Sequence, residues 1–380
     1  NRQRIFSYSL LTVVLLLVLL AVVIYRNYRN NKKFSAILSR QKEEILLKND
    51  ELVNKNTMIE AQANELENAN RELEIQRDEV TEKNKAITDS IQYAKRIQAA
   101  MLPQREVLEP ELQDYFIIFR PRDIVSGDFY WATTVTTTNI VGAKDLSPLP
   151  ILVVAVADCT GHGVPGAFMS MLGIALFNEI VSRTEEPNAG LVLDRLRENV
   201  IDSLHQRGRL GEAKDGMDVG LCILDIQSGK MQYAGANSPL YVIKNTVNSV
   251  DTHGRVYLHY NDNKTNNPDS PLQLTEIKPD KMPIGIHERM ESFKNHEVEI
   301  NKGDCLYLFS DGFVDQFGGP YGKKFMSLPF KKLIESVSDL PMNEQKNILN
   351  RTFDEWKAVP DHDGDTYDQV DDVTVLGMRI

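Results

Sequence analysis

A seven-residue repeat constrains the fold of this chain more than any other feature. Apolar side chains recur every seven residues, at Leu38, Ile45, Leu52, Ile59, Leu66, Leu73, Val80 and Ile87. The alternate core positions between them are mostly polar, with Asn49, Asn56, Ala63, Asn70, Arg77 and Asn84. A strict seven-residue period predicts a supercoiled helix rather than a single surface helix. Polar core positions lower stability but select two strands in one register, so residues 34–86 are predicted to form a parallel, dimeric coiled coil.

A long apolar segment precedes the repeat. Residues 5–25 are almost uninterruptedly apolar, with Ser7 and Ser9 as mild polar exceptions. A helix of this length crosses a hydrocarbon core of roughly 30 Å, and the run is too long for a signal peptide. Lys and Arg cluster directly after it, so residues 1–33 are predicted to be a membrane helix with a basic flank, followed by a cytoplasmic remainder. Because the chain starts at Asn1, we expect an extracytoplasmic segment before it.

Charge and cysteine content argue against two further classes. The 380 residues carry a formal net charge of -11 and the soluble part has no basic stripe, so no nucleic-acid partner is expected. The three cysteines are far apart and lie mostly in apolar runs. This distribution predicts reduced core thiols rather than disulfides or a zinc site.

Helical spacing continues beyond the repeat and then gives way to strands. An apolar stripe follows, and it consists of Ile87, Ile91, Ala94, Ile97 and Met101. Pro103 ends this helix, so residues 87–103 are predicted to be a linker helix packed on the next domain or on a second copy. Short strands, a helix pair, further strands and C-terminal helices follow. Strands are predicted over residues 115–120, 127–136, 151–157, 219–226, 231–236, 240–243, 305–310 and 373–380, and the second helix of the pair over about 189–205. This order predicts an α+β domain over residues 104–380, with helices packed on sheets.

Four carboxylates stand where apolar strands begin or end: Asp128, Asp158, Asp311 and Asp371. Carboxylates brought together without cations repel each other and raise each other's pKa. A hard divalent cation such as Mg or Mn resolves this repulsion through oxygen ligands, and two such ions activate a water and clamp a phosphoryl group. For Asp158 alone, capping of the helix that follows is the alternative.

Six ordered motifs carry a resemblance to a known family. They are SGDFYW (126–131), ADCTGHGVPGAFMS (157–170), AGANSPLYV (234–242), MPIGI (282–286), LFSDGFVDQ (308–316) and DDVTVLGMRI (371–380). Together they resemble the SpoIIE/RsbU-like branch of the metal-dependent protein phosphatases, the protein phosphatase 2C superfamily. The stretch SIQYAKRIQAAMLP (90–103) resembles the regulatory helix that precedes the phosphatase domain of this branch. The resemblance covers about residues 90–380.

This resemblance implies a fold, a reaction and a set of metal ligands. The fold is a four-layer α-β-β-α sandwich. The reaction is hydrolysis of phosphoserine or phosphothreonine on a protein by metal-activated water, without a covalent phosphoenzyme. Two Mn or Mg ions are implied, with Asp128, Asp158, Asp311, Asp371 and the backbone carbonyl of Cys159 as ligands. Members of the branch often dephosphorylate antagonists of anti-sigma factors in partner-switching cascades, so such a phosphoprotein is the expected partner.

Several positions depart from the family pattern. His162 lies two positions later than the histidine thought to be the general acid in eukaryotic relatives, so a proton-donating role and a turn-stabilising role both remain open. Arg122 is a candidate for the arginine that grips phosphate, with a surface ion pair as the alternative. Trp131 stands where many members have an acid. Asp215 and Asp218 lie near the position of a third metal in some relatives.

The combined expectation is a membrane-tethered, dimeric protein serine/threonine phosphatase that is regulated through its coiled coil. The main alternative is a catalytically inactive module that binds a phosphoprotein, but the presence of all four acids favours the enzyme. A sensor histidine kinase is disfavoured because no histidine precedes residue 103. A serine hydrolase built on Ser170 or Ser310 is disfavoured because neither lies in a Gly-x-Ser-x-Gly turn.

Overall fold

A computed structural model describes residues 2–110, 112, 114–137, 149–184, 187–209, 211–212, 214–245, 272–360 and 364–380. The chain divides into two compact units, Asn1–Ala86 and Ile87–Ile380. Helix α1 covers Arg2–Met101. Its end agrees with the helix stop predicted at Pro103.

The first unit consists of helix. The N-terminal part of α1 is long and apolar enough to cross a membrane, with a mean hydropathy of 2.8 over its most apolar window. Core positions of the repeat are open to solvent, as Leu52 and Leu66 show with exposed fractions of 57% and 63%. A helical seam of this kind is covered only by another helix, so the coiled coil stays a prediction.

Two five-stranded antiparallel sheets form the centre of the second unit. The strands of the first sheet, in spatial order, are β1 (Asp114–Arg120), β12 (Val373–Arg379), β9 (Cys305–Phe309), β6 (Leu240–Asn245) and β7 (Leu272–Ile277). Those of the second are β2 (Phe129–Thr137), β3 (Leu149–Cys159), β4 (Met217–Asp225), β5 (Lys230–Ala236) and β8 (His296–Glu299). A short hairpin joins β10 (Phe317–Gly318) to β11 (Lys323–Lys324).

Helices pack on these sheets. They are α2 (Arg105–Leu108), α3 (Gly163–Ser182), α4 (Ala189–Ser203), α5 (Gly312–Asp315), α6 (Ser327–Val337) and α7 (Met342–Ala358). One hydrophobic cluster joins α3 and α4 to the second sheet, another joins strands of the two sheets, and a third joins the first sheet to α5, α6 and α7. Although α3 is apolar enough to pass for a membrane helix, 56% of its apolar window is buried in this core. The predicted α+β class is confirmed.

Strand β3 shows why its sequence is continuously apolar. Its alternate residues Val153, Ala155 and Ala157 belong to the cluster with α3 and α4, whereas Leu152, Val154 and Val156 belong to the cluster between the sheets. A strand buried on both faces has no polar side to alternate with. The predicted strand over residues 151–157 is therefore confirmed and extends by two residues at each end.

Two other expectations have different outcomes. The cysteines Cys159, Cys222 and Cys305 are free and buried, as predicted. The apolar stripe of the linker helix is partly covered within the single chain: Ile91, Ala94 and Met101 are half-buried, whereas Ile87 and Ile97 are 57% and 43% exposed. Packing of this stripe on a second copy stays a prediction. The side chain that this part of α1 buries is Gln98, with an exposed fraction of 3%.

Candidate active site

Strand ends from both sheets meet at a cleft of about 380 Å³, and three of the four predicted acids line it. Asp158 comes near the end of β3, and Asp311 follows β9 after one residue. Asp371 precedes β12. Because β9 and β12 are antiparallel neighbours with Phe309 opposite Val375, the end of one and the start of the other lie at the same edge of the sheet. The antiparallel topology thus brings Asp311 and Asp371 to one place.

A fourth acid on the cleft is Asp218. It lies directly opposite Asp158 in the pairing of β3 with β4. Asn237, in a left-handed conformation with φ 52, donates from Nδ2 to Asp218 Oδ1 over 2.9 Å. The sequence placed Asp218 only near a third metal position. The strand register decides that it faces the same space as Asp158.

Asp128 is close to these acids but does not line the cleft. Its side chain is 2% exposed. Ser310 Oγ donates to Asp128 Oδ2 over 2.5 Å, and the backbone N–H of Thr374 donates to Ser310 Oγ over 2.9 Å. These bonds connect Asp128, at the start of β2, to β9 and β12 of the other sheet. The structure therefore groups all four predicted acids, with Asp128 more deeply buried than the rest.

The acids of the site perturb one another. Burial raises the pKa of Asp158 to about 10, and the charges of Asp128 and Asp311 add to this effect. Burial, with added repulsion from Asp372, raises the pKa of Asp128 to about 8. Burial likewise raises the pKa of Asp218 to about 6, and it raises the pKa of Asp311. Ionised carboxylates at this place need a neutralising partner.

The donor set fits a hard divalent cation. Among the described residues, no three or more His, Cys, Asp or Glu side chains already converge to hold a metal ion. The carboxylates instead surround a shared cleft, where a cation that accepts oxygen ligands favours their ionised forms and removes their repulsion. Burial and the charge of Asp158 raise the pKa of the Cys159 thiol, so the thiol stays protonated. Cys159 can then offer only its carbonyl oxygen as a hard ligand.

His162 lies at the mouth of this cleft. Its Nδ1 is 2.9 Å from Asp123 Oδ2, and the two side chains are 49% and 46% exposed. His162 is also the N-cap residue of α3, although its side chain makes no capping hydrogen bond. The alternative in which Asp158 caps this helix is therefore wrong. Asp123 was not recognised from the sequence, since it lies 39 residues away from its partner.

Neither Arg122 nor Trp131 lines the cleft. The Arg122 side chain is exposed and is not among the residues that line the cleft, while its backbone N–H donates to Asp372 Oδ1 over 2.7 Å. Trp131 is buried, and its Nε1 donates to Asn178. Among the described residues that line the cleft, Lys214 is the only lysine or arginine. No sequence motif indicated Lys214, because it belongs to a polar loop.

Glycines of the motifs at 126–131 and 157–170 allow a close approach of three segments. A Cβ atom on Gly127 would lie 2.4 Å from the carbonyl oxygen of Gly161, and one on Gly166 would lie 2.3 Å from the same atom. Gly161 itself has φ 85, in the left-handed region that favours glycine. These contacts press the start of β2 and the first turn of α3 against the turn after β3. They fix the backbone that carries Asp128 and Asp158.

Comparison with known proteins identifies the class. The SiaA-PP2C domain of Pseudomonas aeruginosa is 28% identical, with a TM-score of 0.58 over 78% of this chain and 98% of that one. The PP2C phosphatase domain of SpoIIE from Bacillus subtilis, with a fragment of its regulatory domain, is 17% identical, with a TM-score of 0.45 over 70% of this chain and 62% of that one. The RsbU and RsbW domains of a Mycobacterium tuberculosis protein are 21% identical, with a TM-score of 0.45 over 70% of this chain and 59% of that one. The search of curated proteins found no match.

The fold and the site thus define a PP2C-like α+β phosphatase. The family model described as Stage II sporulation protein E (SpoIIE) matches residues 151–258 and 268–380, more than half of the chain, and the chain belongs to this family. It is a protein phosphatase of the PPM type, as the resemblance implied. Phosphatases of this type depend on Mg or Mn.

Proposed function

We propose that this chain is a membrane-anchored, dimeric phosphatase that removes phosphate from serine or threonine of a partner protein. The observation that carries the proposal is the gathering of Asp158, Asp218, Asp311 and Asp371 around one cleft. Their neighbours are largely other acids, and the resulting pKa shifts leave the cleft in need of cations. A site of this kind suits the binding of two divalent ions together with a phosphoryl group.

In this proposal Asp128, Asp158, Asp311 and Asp371, with the carbonyl of Cys159, hold two Mn or Mg ions. Bound there, such ions supply a water of lowered pKa and a clamp on the phosphoryl oxygens. The chain itself keeps the site in shape: Ser310 holds Asp128 and Asn237 holds Asp218 through the hydrogen bonds described above. These bonds restrict the carboxylates to rotamers in which they can act together.

Lys214 and His162 are the residues of the cleft suited to act on the substrate. Lys214 contributes a positive charge that attracts the phosphoryl oxygens to an otherwise acidic cleft. His162, with Nδ1 held by Asp123, has Nε2 left to carry a proton to the departing serine or threonine oxygen. The turn-stabilising role of His162 is compatible with this one, because its backbone begins α3.

The domain order is part of the proposal. Residues 1–33 form the membrane helix and its basic flank, 34–86 the coiled coil, 87–103 the linker helix and 104–380 the phosphatase domain as a four-layer α-β-β-α sandwich, placed in the cytoplasm. Support comes from the apolar start of α1, the unit boundary after Ala86 and the three stacked hydrophobic clusters. A signal that alters the coiled coil would then reach the catalytic domain through α1.

The partner follows from the family resemblance. We propose that the substrate is a phosphorylated antagonist of an anti-sigma factor in a partner-switching pathway. The SpoIIE family match supports this choice of substrate class. No nucleic-acid role is proposed, in keeping with the net charge of -11.

The test measures hydrolysis by the full chain in detergent micelles. Mn is titrated against p-nitrophenyl phosphate and a phosphoserine protein, with Asp158→Ala and Asp311→Asn beside the wild type. Hydrolysis should require Mn and fall at least about 100-fold in both variants, since each removes a proposed metal ligand. The exposed Asp202→Asn on α4 is the control and should match the wild type. A folded, Mn-saturated protein that binds the phosphoprotein without hydrolysing it would support the inactive binding module instead.

A further inference from the structure

The last turns of α1 bury one side chain, and this side chain is polar. Of helix residues 87–101, Gln98 alone is buried, with an exposed fraction of 3%. Its apolar neighbour Ile97 is 43% exposed. Burial of an amide costs free energy unless its donors and its acceptor are bonded. The position of Gln98 therefore depends on specific partners.

The Gln98 amide is bonded on both of its ends. Its Nε2 donates to the carbonyl oxygen of Ser126 over 2.6 Å and to Ser170 Oγ over 2.8 Å. Its Oε1 accepts from the backbone N–H of Ser126 over 3.1 Å. The side chain thus binds both polar backbone groups of Ser126, as the backbone of a neighbouring strand would, and connects them to α3 through Ser170.

Ser126 begins the segment that carries Asp128. The next residue, Gly127, donates its backbone N–H to Asp372 Oδ2 over 2.7 Å, and Asp128 accepts from Ser310. Three successive residues are therefore fixed by three different side chains. The contribution of Gln98 comes from α1, whereas those of Asp372 and Ser310 come from the sheet that carries Asp311 and Asp371.

We propose that Gln98 is a positioning residue of the metal centre. By fixing the backbone of Ser126 it holds Asp128 among the other acids, so loss of the amide weakens cation binding more than it destabilises the fold. The inference rests on the proposed metal-dependent function. Gln98 does not line the cleft, and it acts through residues 126–128 rather than on the substrate.

The experiment compares Gln98→Leu and Gln98→Glu with wild type in the full chain. Leucine at this position removes all three hydrogen bonds of the Gln98 side chain. Glutamate keeps the shape of the side chain but loses both N–H donors. The exposed Gln92→Leu, on the same helix, is the matched control. The concentration of free Mn is followed by its electron paramagnetic resonance signal. This measures the affinity of the protein for Mn independently of its enzymatic activity. We expect about tenfold weaker Mn binding in both Gln98 variants. Leu leaves the buried N–H of Ser126 without its partner, and Glu places an acceptor oxygen against the Ser126 carbonyl oxygen in place of a donor.

A purely structural role predicts a different pattern. It would lower the melting temperature in EDTA while leaving Mn affinity and the Mn concentration for half-maximal hydrolysis unchanged, and this outcome overturns the inference. Recovery of kcat to within about twofold at saturating Mn supports it. Ser170→Ala removes one acceptor of Gln98 and one donor to the Ser126 carbonyl oxygen but leaves both bonds between Gln98 and Ser126. It should show a smaller shift in the same direction, and it keeps the test open if a Gln98 variant does not fold.

The outcomes separate this inference from the proposed function. If the wild-type protein binds Mn but hydrolyses neither substrate, the proposed function is contradicted. The Mn affinities of the Gln98 variants still test the role of Gln98 in that case. Wild type that hydrolyses with Mn, together with an unchanged affinity in Gln98→Leu, contradicts the inference alone. Absence of Mn binding in the wild type contradicts both.

Discussion

Asp158→Asn should make the metal-free protein more stable while abolishing its activity. Burial and the charges of Asp128 and Asp311 raise the pKa of Asp158 from 3.8 to about 10. Around neutral pH the folded metal-free protein therefore keeps this carboxyl protonated, whereas the unfolded chain ionises it. Stability is lost as pH rises from the ordinary pKa towards the folded one. Asn carries no titrating proton, so the substitution removes this cost.

The size of this stabilisation follows from the difference between the pH and the ordinary pKa of an aspartic acid. Each pH unit between 3.8 and 7 lowers the free energy of unfolding by about 1.4 kcal/mol, which gives an upper bound of about 4 kcal/mol at pH 7. This bound is the same for any folded pKa above 7. Neighbouring acids share the cost, because one protonated member relieves the others. We therefore expect a gain of about 1 to 3 kcal/mol and a rise in melting temperature of about 2 to 6 °C.

Differential scanning calorimetry in EDTA at pH 7 measures the change, with Mn-dependent hydrolysis measured in parallel. Asp304→Asn is the matched control. Asp304 is also buried, but it lies at the opposite end of β9, where it pairs with Lys244 and accepts the backbone N–H groups of Asn245 and Asn301. Loss of that ion pair should lower stability by about 1 to 3 kcal/mol. The two substitutions should thus act in opposite directions.

A fall in the melting temperature of Asp158→Asn, comparable to that of Asp304→Asn, would refute the reasoning. It would mean that the native hydrogen bonds of Asp158 stabilise the fold more than its burial and its repulsion by neighbouring acids destabilise it. The acids of the cleft would then need no cations. An unchanged Mn response of the variant would equally contradict the assignment of Asp158 as a ligand.

Three further predictions concern the substrate, the cations and the coiled coil. Lys214→Ala should raise KM for the phosphoprotein several-fold with little change in kcat, since it removes the positive charge of the cleft. Steady-state kinetics test this prediction, with Lys230→Ala, a substitution of an exposed lysine of β5, as the control. Mn affinity measured by calorimetry should increase from pH 6 to pH 8, because the acids whose pKa values burial raises to about 8 and about 10 must lose protons on binding. Leu52→Asp combined with Leu66→Asp should convert the dimer to a monomer in light scattering and alter hydrolysis, whereas Met58→Asp, outside the core positions, should do neither.

Each of these predictions has a contradicting result. A loss of kcat in Lys214→Ala at unchanged KM would indicate a role in the chemical step. A flat Mn affinity between pH 6 and pH 8 would indicate that the acids are already ionised in the metal-free protein. Unaltered hydrolysis in a monomeric double variant would show that the coiled coil does not regulate the enzyme.

Much of the fold could be predicted because it rests on local patterns. The apolar run before Asp158 predicts the buried strand β3, since a strand covered on both faces has no polar alternation. The start of α4 at Ala189 agrees with its helical spacing. Strands β7 and β8 were not predicted. Strand β8 is only four residues long, with Val298 as its one apolar residue, and its pairing with β5 comes from the assembled sheet.

By itself, the sequence determined the helical start of the chain, the apolar strands, the acids at their ends and the motifs of the family. All of these are properties of neighbouring residues. The tertiary structure alone decided which distant side chains meet: Asp123 with His162, Asp218 opposite Asp158, Lys214 at the cleft and Gln98 against Ser126. These pairs have no common period or spacing, because sheet register and helix packing create them. The same packing leaves Ile97 exposed and buries the Gln98 amide, whose donor and acceptor both bond to the backbone of Ser126.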